Sequence, residues 1–291
     1  MIRVIRHVDA FTTTPLEGNP AAVVDGGGLS SETMQRIALN QKLSETVFLL
    51  PPEQPSNHAR LRIFTPGMEL PFAGHPTIAA AHILVSEHIV RLDEAESLRL
   101  ETGAGVIPVE VGDAAAPSYT MTQAKPAYRP SDVDRATIAA SVGLATVEIA
   151  REERVSTGLF WLIAQVTSLE AMMRVRPDMS ALARIPHGLS IFCIGATSPD
   201  ADIHVRAFAP DGGVPEDPVT GSSNGCIAAF IAKHQLIPSR DGEISYVAEQ
   251  GLEMGQPGRA YLRVSGLPGD PTVHVGGHAV TLLRGEMVLP D

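Results

Sequence analysis

RIFTPGMELPFAGHPT, residues 62–77, returns in altered form as RAFAPDGGVPEDPVTGSS, residues 206–223. Both stretches open Arg-x-Phe-x-Pro, at Arg62, Phe64 and Pro66 and again at Arg206, Phe208 and Pro210. Both pass through acidic residues to a glycine followed by a polar side chain, Gly74-His75 and Gly221-Ser222. Small apolar runs follow, IAAAHILV and GCIAAFIA. The copies lie 144 residues apart, close to half the chain, so the repeat is one of whole domains rather than a short-period array.

Each copy has the grammar of strand, loop and helix. Ala59, Leu61 and Ile63 alternate with Arg60, Arg62 and Phe64, the period of a strand. Pro66 ends or edges that strand, and Gly74 permits a turn that a side chain would obstruct. Pro76 suits a first helical turn, where its missing N–H is no loss. A helix start carries free N–H groups and the positive end of the dipole, which together receive a carboxylate or phosphate. Two copies predict two such helix starts.

The bulk properties fit two globular domains. The chain has 291 residues, 44% hydrophobic and 19% charged. A net charge of −11 argues against a nucleic-acid or anionic-membrane surface. Cys193 and Cys226 lack metal-ligand spacing and predict neither a disulfide framework nor a zinc site. The N-terminal MIRVIRHVDAF has no secretory pattern and no apolar run is long enough to span a bilayer, so the expectation is a soluble, cytoplasmic protein.

Outward from the signatures, strands are expected at the N-terminus, within 18–28 and over 44–50, with a helix capped by Ser30 or Ser31 running to about Gln41. A helix is expected over Thr77–Val90, strands at SLRLET and GVIPVEV, and a linker at Gly112–Ser118. In the second half Ser131 is expected to cap a helix to about Gly143. Strands follow at 159–166 and 189–196, with one or two short helices between them. The ending reads as strands at ISYVAEQ, AYLRV, TVHVGG and HAVTLLRG, the last returning to the first domain. The expected fold is α+β: two domains of mixed, largely antiparallel sheet, each curled around its signature helix. The expected domains are 1–115, completed by about 279–291, and 116–278.

Four groups carry candidate chemistry. Glu45 is a strand-end carboxylate, solvated or paired with an arginine, or else a general acid–base whose pKa an apolar pocket would raise. His75 is bonded near a helix start, or binds a substrate atom or relays a proton. Asp217 is a turn acid, or a carboxylate that holds an amine. Thr220 and Ser222 are helix caps first and substrate ligands second. Ser222 lacks the G-x-S-x-G of a hydrolase nucleophile. Neither cysteine lies at a helix start, where a thiolate would be activated. The remaining histidines are scattered and predict no metal site.

The motifs DAFTTTPLEGNPAAVV, NQKLSETVFLL, RIFTPGMELPFAGHPT, FAPDGGVPEDPVTGSSNG and EQGLEMGQPGRAYLRV, taken together, resemble the PhzF family of phenazine-biosynthesis isomerase-like proteins. The resemblance covers nearly the whole chain and implies the diaminopimelate epimerase-like fold, with two pseudo-symmetric domains and the active site in the cleft between them. It implies a homodimer, a small amino- or hydroxy-acid substrate, and no cofactor or metal. The family's catalytic glutamate, histidine and aspartate match Glu45, His75 and Asp217. Gly74, Gly221 and Ser222 match substrate-binding positions. Related racemases exchange the proton between two cysteines at the helix starts. This chain has Gly74 and Gly221-Ser222 there, which disfavours that chemistry. The expected reaction is proton transfer within a compound such as trans-2,3-dihydro-3-hydroxyanthranilate. A C–C bond hydrolase in a secondary-metabolite pathway and a non-catalytic binding protein are the alternatives.

Overall fold

The computed structural model describes residues 1–92, 97–112 and 118–290. The chain forms two compact units, Met1–Thr122 with Gly276–Asp291, and Gln123–Val275. The expected linker lies, apart from its end residues Gly112 and Ser118, outside the described residues.

The first unit runs β1 (Ile2–Ala10), β2 (Asn19–Asp25), α1 (Ser31–Gln41), β3 (Glu45–Leu50), β4 (Ala59–Phe64), β5 (Glu69–Leu70), α2 (Gly74–Ser86), β6 (Leu98–Thr102), β7 (Gly105–Val111) and β8 (Ser118–Thr122). β1 is antiparallel to β2, β2 parallel to β3, and β3 antiparallel to β4. β4 is antiparallel to β5 and parallel to β6, which returns antiparallel through β7. The parallel steps are the ones whose connections carry α1 and α2, because parallel neighbours need a crossover.

The second unit repeats this order. It comprises β9 (Ala127–Arg129), α3 (Arg135–Ser141), β10 (Ile149–Ser156), β11 (Phe160–Val166), α4 (Leu169–Met173), α5 (Met179–Leu182), β12 (Leu189–Ile194), β13 (Ile203–Ala209), β14 (Val214–Asp217), α6 (Gly221–His234), β15 (Ile244–Gln250) and β16 (Gly258–Ser265). β10–β11 are antiparallel, β11–β12 parallel, β12–β13 antiparallel, β13–β14 antiparallel, β13–β15 parallel and β15–β16 antiparallel. The fold is therefore α+β with mixed, mostly antiparallel pairing, as the repeat predicts. β17 (Thr272–Val288) starts in the second unit and ends in the first, paired antiparallel with β1 from Ala10↔Ala279 to Ile2↔Val288.

The sequence pattern explains why α2 and α6 are central. Both are small and apolar on nearly every side. His75–Ala81, Ile83 and Leu84 are buried on α2, and Ser223–Ala232 on α6. Such a helix has no solvent face to offer and is wrapped by sheet. Strands β1–β4 and β8 pack on α2, and β10, β11 and β16 on α6. Shorter amphipathic helices cover the outer faces. Met34, Ile37 and Ala38 of α1 meet Phe48 and Phe64, while α3, α4 and α5 meet Leu162, Ile191 and Phe208. Phe64 and Phe208 thus serve the outer cores, and both faces of each signature strand are apolar at that point.

The repeated Arg-x-Phe is an architectural device. Arg62 donates two hydrogen bonds to Glu69 of the hairpin partner β5, at 2.7 and 2.6 Å. Arg206 does the same to Glu216 of β14, at 2.8 and 2.9 Å. Each guanidinium carbon also lies 5.2 Å from the ring centre of its own Phe64 or Phe208. The fork-shaped donor fixes the short hairpin that delivers the chain to the helix start.

A second echo is invisible to pattern reading. Glu101 of β6 accepts hydrogen bonds from the backbone N–H of Glu53 and Gln54, each 2.8 Å. Glu249 of β15 accepts from Thr197 and Ser198, at 2.6 and 3.0 Å. The registers agree, Arg60↔Glu101 and His204↔Glu249. Each carboxylate pins the loop that follows the equivalent strand, β3 in the first unit and β12 in the second.

Several expected boundaries shift. α2 begins at Gly74 and ends at Ser86, so Gly74 is its first residue rather than a turn glycine, and His75 and Pro76 are helical. Asp134, not Ser131, caps α3, accepting from Thr137 N–H. Ser131 is turned back to the Val133 carbonyl, at 2.6 Å. TVHVGG and HAVTLLRG are one strand. The glycines between them look like a turn in sequence. They serve close packing, since a Cβ at Gly277 would sit 2.4 Å from the Phe11 ring.

Gly188 has φ +76°, and a Cβ there would lie 2.6 Å from the Trp161 ring and 2.7 Å from the Phe208 carbonyl. Gly188→Ala is expected to destabilise the fold by about 1–3 kcal/mol from backbone strain alone. Gly27→Ala meets nothing within 4 Å and is expected to stay within about 0.5 kcal/mol of the parent. Urea unfolding of both variants measures the contrast.

Candidate active site

In the first unit α1 closes with Lys42 in the left-handed region, φ 56°, and the chain re-enters the sheet at Glu45. Glu45 is the first residue of β3, held parallel to Ala21 of β2. His75 is the second residue of α2. These two elements bring the side chains together. Glu45 Oε2 lies 3.2 Å from His75 Nε2, and Ser44 Oγ lies 3.4 Å from the same nitrogen. His75 is 6% exposed. Glu45 Oε2 is buried and makes no aligned hydrogen bond.

Burial pushes the Glu45 carboxyl above its usual range, and the hydrogen bond from Ser44 pulls it back only in part. The site therefore holds a carboxyl group that takes or gives a proton more readily near neutrality than an exposed glutamate does. No arginine competes for it among the described contacts, so the solvated and arginine-paired readings of Glu45 do not describe this fold.

In the second unit the chemistry gathers where β14 runs into α6. Thr220 Oγ donates to Asp217 Oδ2 at 2.6 Å. Trp161 Nε1 donates to Ser222 Oγ at 3.1 Å. A hydroxyl that already accepts one bond keeps its own hydrogen to give. The residues read as helix caps do not cap: Thr220 is the N-cap residue of α6 and its side chain bonds no helical N–H. Ala73, the N-cap of α2, has no side chain able to do so. The other four α-helices among the described residues are capped by Ser30, Asp134, Ser168 and Asp178. The two central helices alone start without side-chain caps, as a helix start must if it is to receive an anion. Gly74 and Gly221 open these two helices, and neither adds a side chain over the first turn.

Both thiols are buried. Cys226 is buried in α6, its Sγ 3.5 Å from the Leu159 carbonyl, and burial pushes it up to about 12. Cys193 is likewise pushed up to about 12 by burial. A thiol shifted in this way is a poor source of the thiolate that proton exchange needs. Among the described residues no group of three or more His, Cys, Asp or Glu is placed to hold a metal ion. Among the described residues no helix is long and apolar enough to cross a membrane.

Sequence reading passed over two residues. Trp161 read only as part of a buried strand. Gln250 read as a strand end and as a letter of the motif EQGLEMGQPGRAYLRV, with no role of its own, although it bonds the Asp217–Thr220 segment. Nothing in the local pattern marks either, because the partners are distant in sequence.

Two repeated α+β units, each with an uncapped central helix, define the epimerase-like class of fold, and the first unit adds a carboxyl–imidazole pair at its helix start. The family profile described as "Phenazine biosynthesis-like protein" (PhzC-PhzF) matches residues 8–285, and the chain belongs to that family. A trans-2,3-dihydro-3-hydroxyanthranilate isomerase of Pseudomonas aeruginosa is 35% identical over 295 residues, covering 97% of this chain and 98% of its own. An uncharacterized isomerase of Mesorhizobium japonicum is 36% identical over 306 residues, covering 97% of both chains. The crystal structure of the Bacillus anthracis PhzF-family phenazine biosynthesis protein superposes with a TM-score of 0.89 at 29% identity, covering 99% of this chain and all of that one. The protein is an enzyme of the isomerase class.

The buried carboxyl gives a stability prediction. The Glu45 pKa is raised in the fold above its ordinary 4.5. A group raised in this way costs the native state nothing below the unfolded value, and the native state loses stability as pH rises through the folded value. Glu45→Gln removes the ionisation. Its melting temperature should match the parent near pH 4 and exceed it increasingly toward pH 8. Differential scanning calorimetry across that range checks the trend, and a constant offset would remove Glu45 burial as its cause.

Proposed function

We propose that the protein is a cofactor-independent isomerase that moves a proton within a small cyclic amino- or hydroxy-acid such as trans-2,3-dihydro-3-hydroxyanthranilate. The observation that carries this reading is the buried Glu45 carboxyl, shifted upward by burial and 3.2 Å from His75 at an uncapped helix start. In the ionised state Glu45 takes a proton from one ring carbon. The electron pair of that C–H bond moves into the adjacent double bond system, and the same carboxyl returns the proton at the far carbon. One C–H bond breaks, one forms, and the double bond shifts, so atoms and charge balance without a redox partner. A single tuned carboxyl can serve as base and then as acid.

His75, Asp217 and Ser222 are assigned to substrate: His75 and Asp217 to its amine and hydroxyl, Ser222 and the N–H groups opening at Gly74 and Gly221 to its carboxylate. The short bond from Thr220 supports Asp217 as a hydrogen-bond acceptor oriented at the start of α6. The buried thiols support a one-carboxyl rather than a two-thiol route. The same reading makes the enzyme a cytoplasmic homodimer of secondary metabolism, which light scattering on the purified protein tests for its oligomeric part.

Glu45→Gln is expected to cut turnover of trans-2,3-dihydro-3-hydroxyanthranilate by roughly 10²–10⁴-fold, the usual worth of general acid–base catalysis. Ligand affinity by calorimetry should change little, whereas Asp217→Asn should weaken affinity as well as rate. Product mass must equal substrate mass in water, and solvent deuterium should enter the product in heavy water. A product heavier by one water, or split in two, would replace the isomerase by a hydrolase. Cys226→Ala should retain turnover, and its loss with folding intact would restore a thiol mechanism.

A further inference from the structure

The end of β15 holds a buried amide that touches four groups of one short segment. Gln250 is 1% exposed. Its Nε2 donates to the Asp217 carbonyl at 2.8 Å and to Thr220 Oγ at 3.1 Å. Its Oε1 accepts from the Thr220 N–H at 3.1 Å and from Asn224 Nδ2 at 2.8 Å. Asn224, fully buried, passes the constraint on by donating to the Thr220 carbonyl at 3.0 Å. The side chain therefore fixes both ends of the turn between Asp217 and the first helical turn of α6.

The polarity of this network is determined. An amide nitrogen only donates, so the Thr220 hydroxyl accepts from Gln250 and must spend its own hydrogen elsewhere. That hydrogen goes to Asp217 Oδ2, 2.6 Å away. Gln250 thus sets which way the Thr220 hydroxyl points, and through it where the Asp217 carboxylate sits. The backbone around Gln250 is itself fixed. Glu249 is anchored to Thr197 and Ser198, and Gly251 at φ +88° leaves room for no Cβ beside the Pro218 carbonyl. In the first unit the residue after Glu101 is Thr102, whose hydroxyl turns to its own hairpin at Gly105. The device exists only in the copy that carries Asp217.

We infer that Gln250 is a positioning residue for substrate binding: it holds Asp217 and the uncapped start of α6 in register with each other. This rests on the proposed role of Asp217 as a substrate ligand, and the test separates the two. Gln250→Met keeps the volume and removes all four hydrogen bonds. Gln250→Glu keeps the two acceptor bonds and removes the two donor bonds. Ile138→Val trims the outer core of the second unit away from α6 and serves as a control for a destabilisation remote from this segment.

Amide hydrogen exchange of residues 217–224 needs no substrate. It should accelerate about tenfold or more in Gln250→Met, less in Gln250→Glu, and not in Ile138→Val. With trans-2,3-dihydro-3-hydroxyanthranilate, Gln250→Met should raise KM about tenfold or more while deuterium incorporation per turnover stays that of the parent, because Glu45 is untouched. Unchanged exchange overturns the inference. So does accelerated exchange with KM unmoved, since Gln250 would then be merely structural. Should Gln250→Met not fold, Gln250→Glu decides on the same two readouts. If the parent does not turn over this compound, the proposed reaction fails, and the exchange contrast alone decides whether Gln250 organises the segment.

Discussion

A helix buried on nearly every side must leave its first N–H groups without the usual partners or find new ones. α2 and α6 both start without a side-chain cap. Their N-cap residues, Ala73 and Thr220, supply no side-chain bond to the helix, although the peripheral helices of the same chain are capped by serine or aspartate. The rest of each unit follows from holding such a helix. A curled sheet supplies the apolar wall, the Arg–Glu fork closes the hairpin ahead of the helix, and a buried glutamate from the strand after it pins the neighbouring loop. A helix start without a side-chain cap is a place where a carboxylate can be received.

The two units share this frame and spend it differently. The first brings a carboxyl to the helix start by ending α1 in a left-handed residue three positions before β3, so that Glu45 lies beside His75. The second brings a hydrogen-bonded carboxylate, Asp217, through the end of β14. One carboxyl is raised by burial and suited to moving protons. The other accepts a short bond from Thr220 and is suited to holding a cation or donor. The duplicated scaffold thus carries two unlike carboxyls at corresponding ends of its units.

The repeat itself was legible because its residues are chemically demanding. Only arginine makes the bidentate fork with Glu69 or Glu216 while stacking on a phenylalanine, so Arg-x-Phe survives in both copies as letters. Glu101 and Glu249 do the same task in both copies and were not legible. A carboxylate that accepts two backbone N–H groups leaves no pattern around it, and an insertion moves its spacing from 144 to 148 residues. Gly276-Gly277 misled for a related reason: glycine marks a turn or a close approach, and the sequence does not say which.

Sequence alone determined the α+β duplication, the two signature helices, the family resemblance and the short list Glu45, His75 and Asp217, because hydrophobic period and local motif chemistry are written in neighbouring residues. Tertiary structure decided that Glu45 is buried beside His75, that Thr220 serves Asp217 instead of capping α6, and that Gln250 ties that segment together. The first and last depend on strand register and on side chains that meet across roughly thirty residues of chain, and the local Thr220–Asp217 bond takes its direction from Gln250. Desolvation and hydrogen-bond direction exist only once the chain has brought such groups to within about 3 Å of one another.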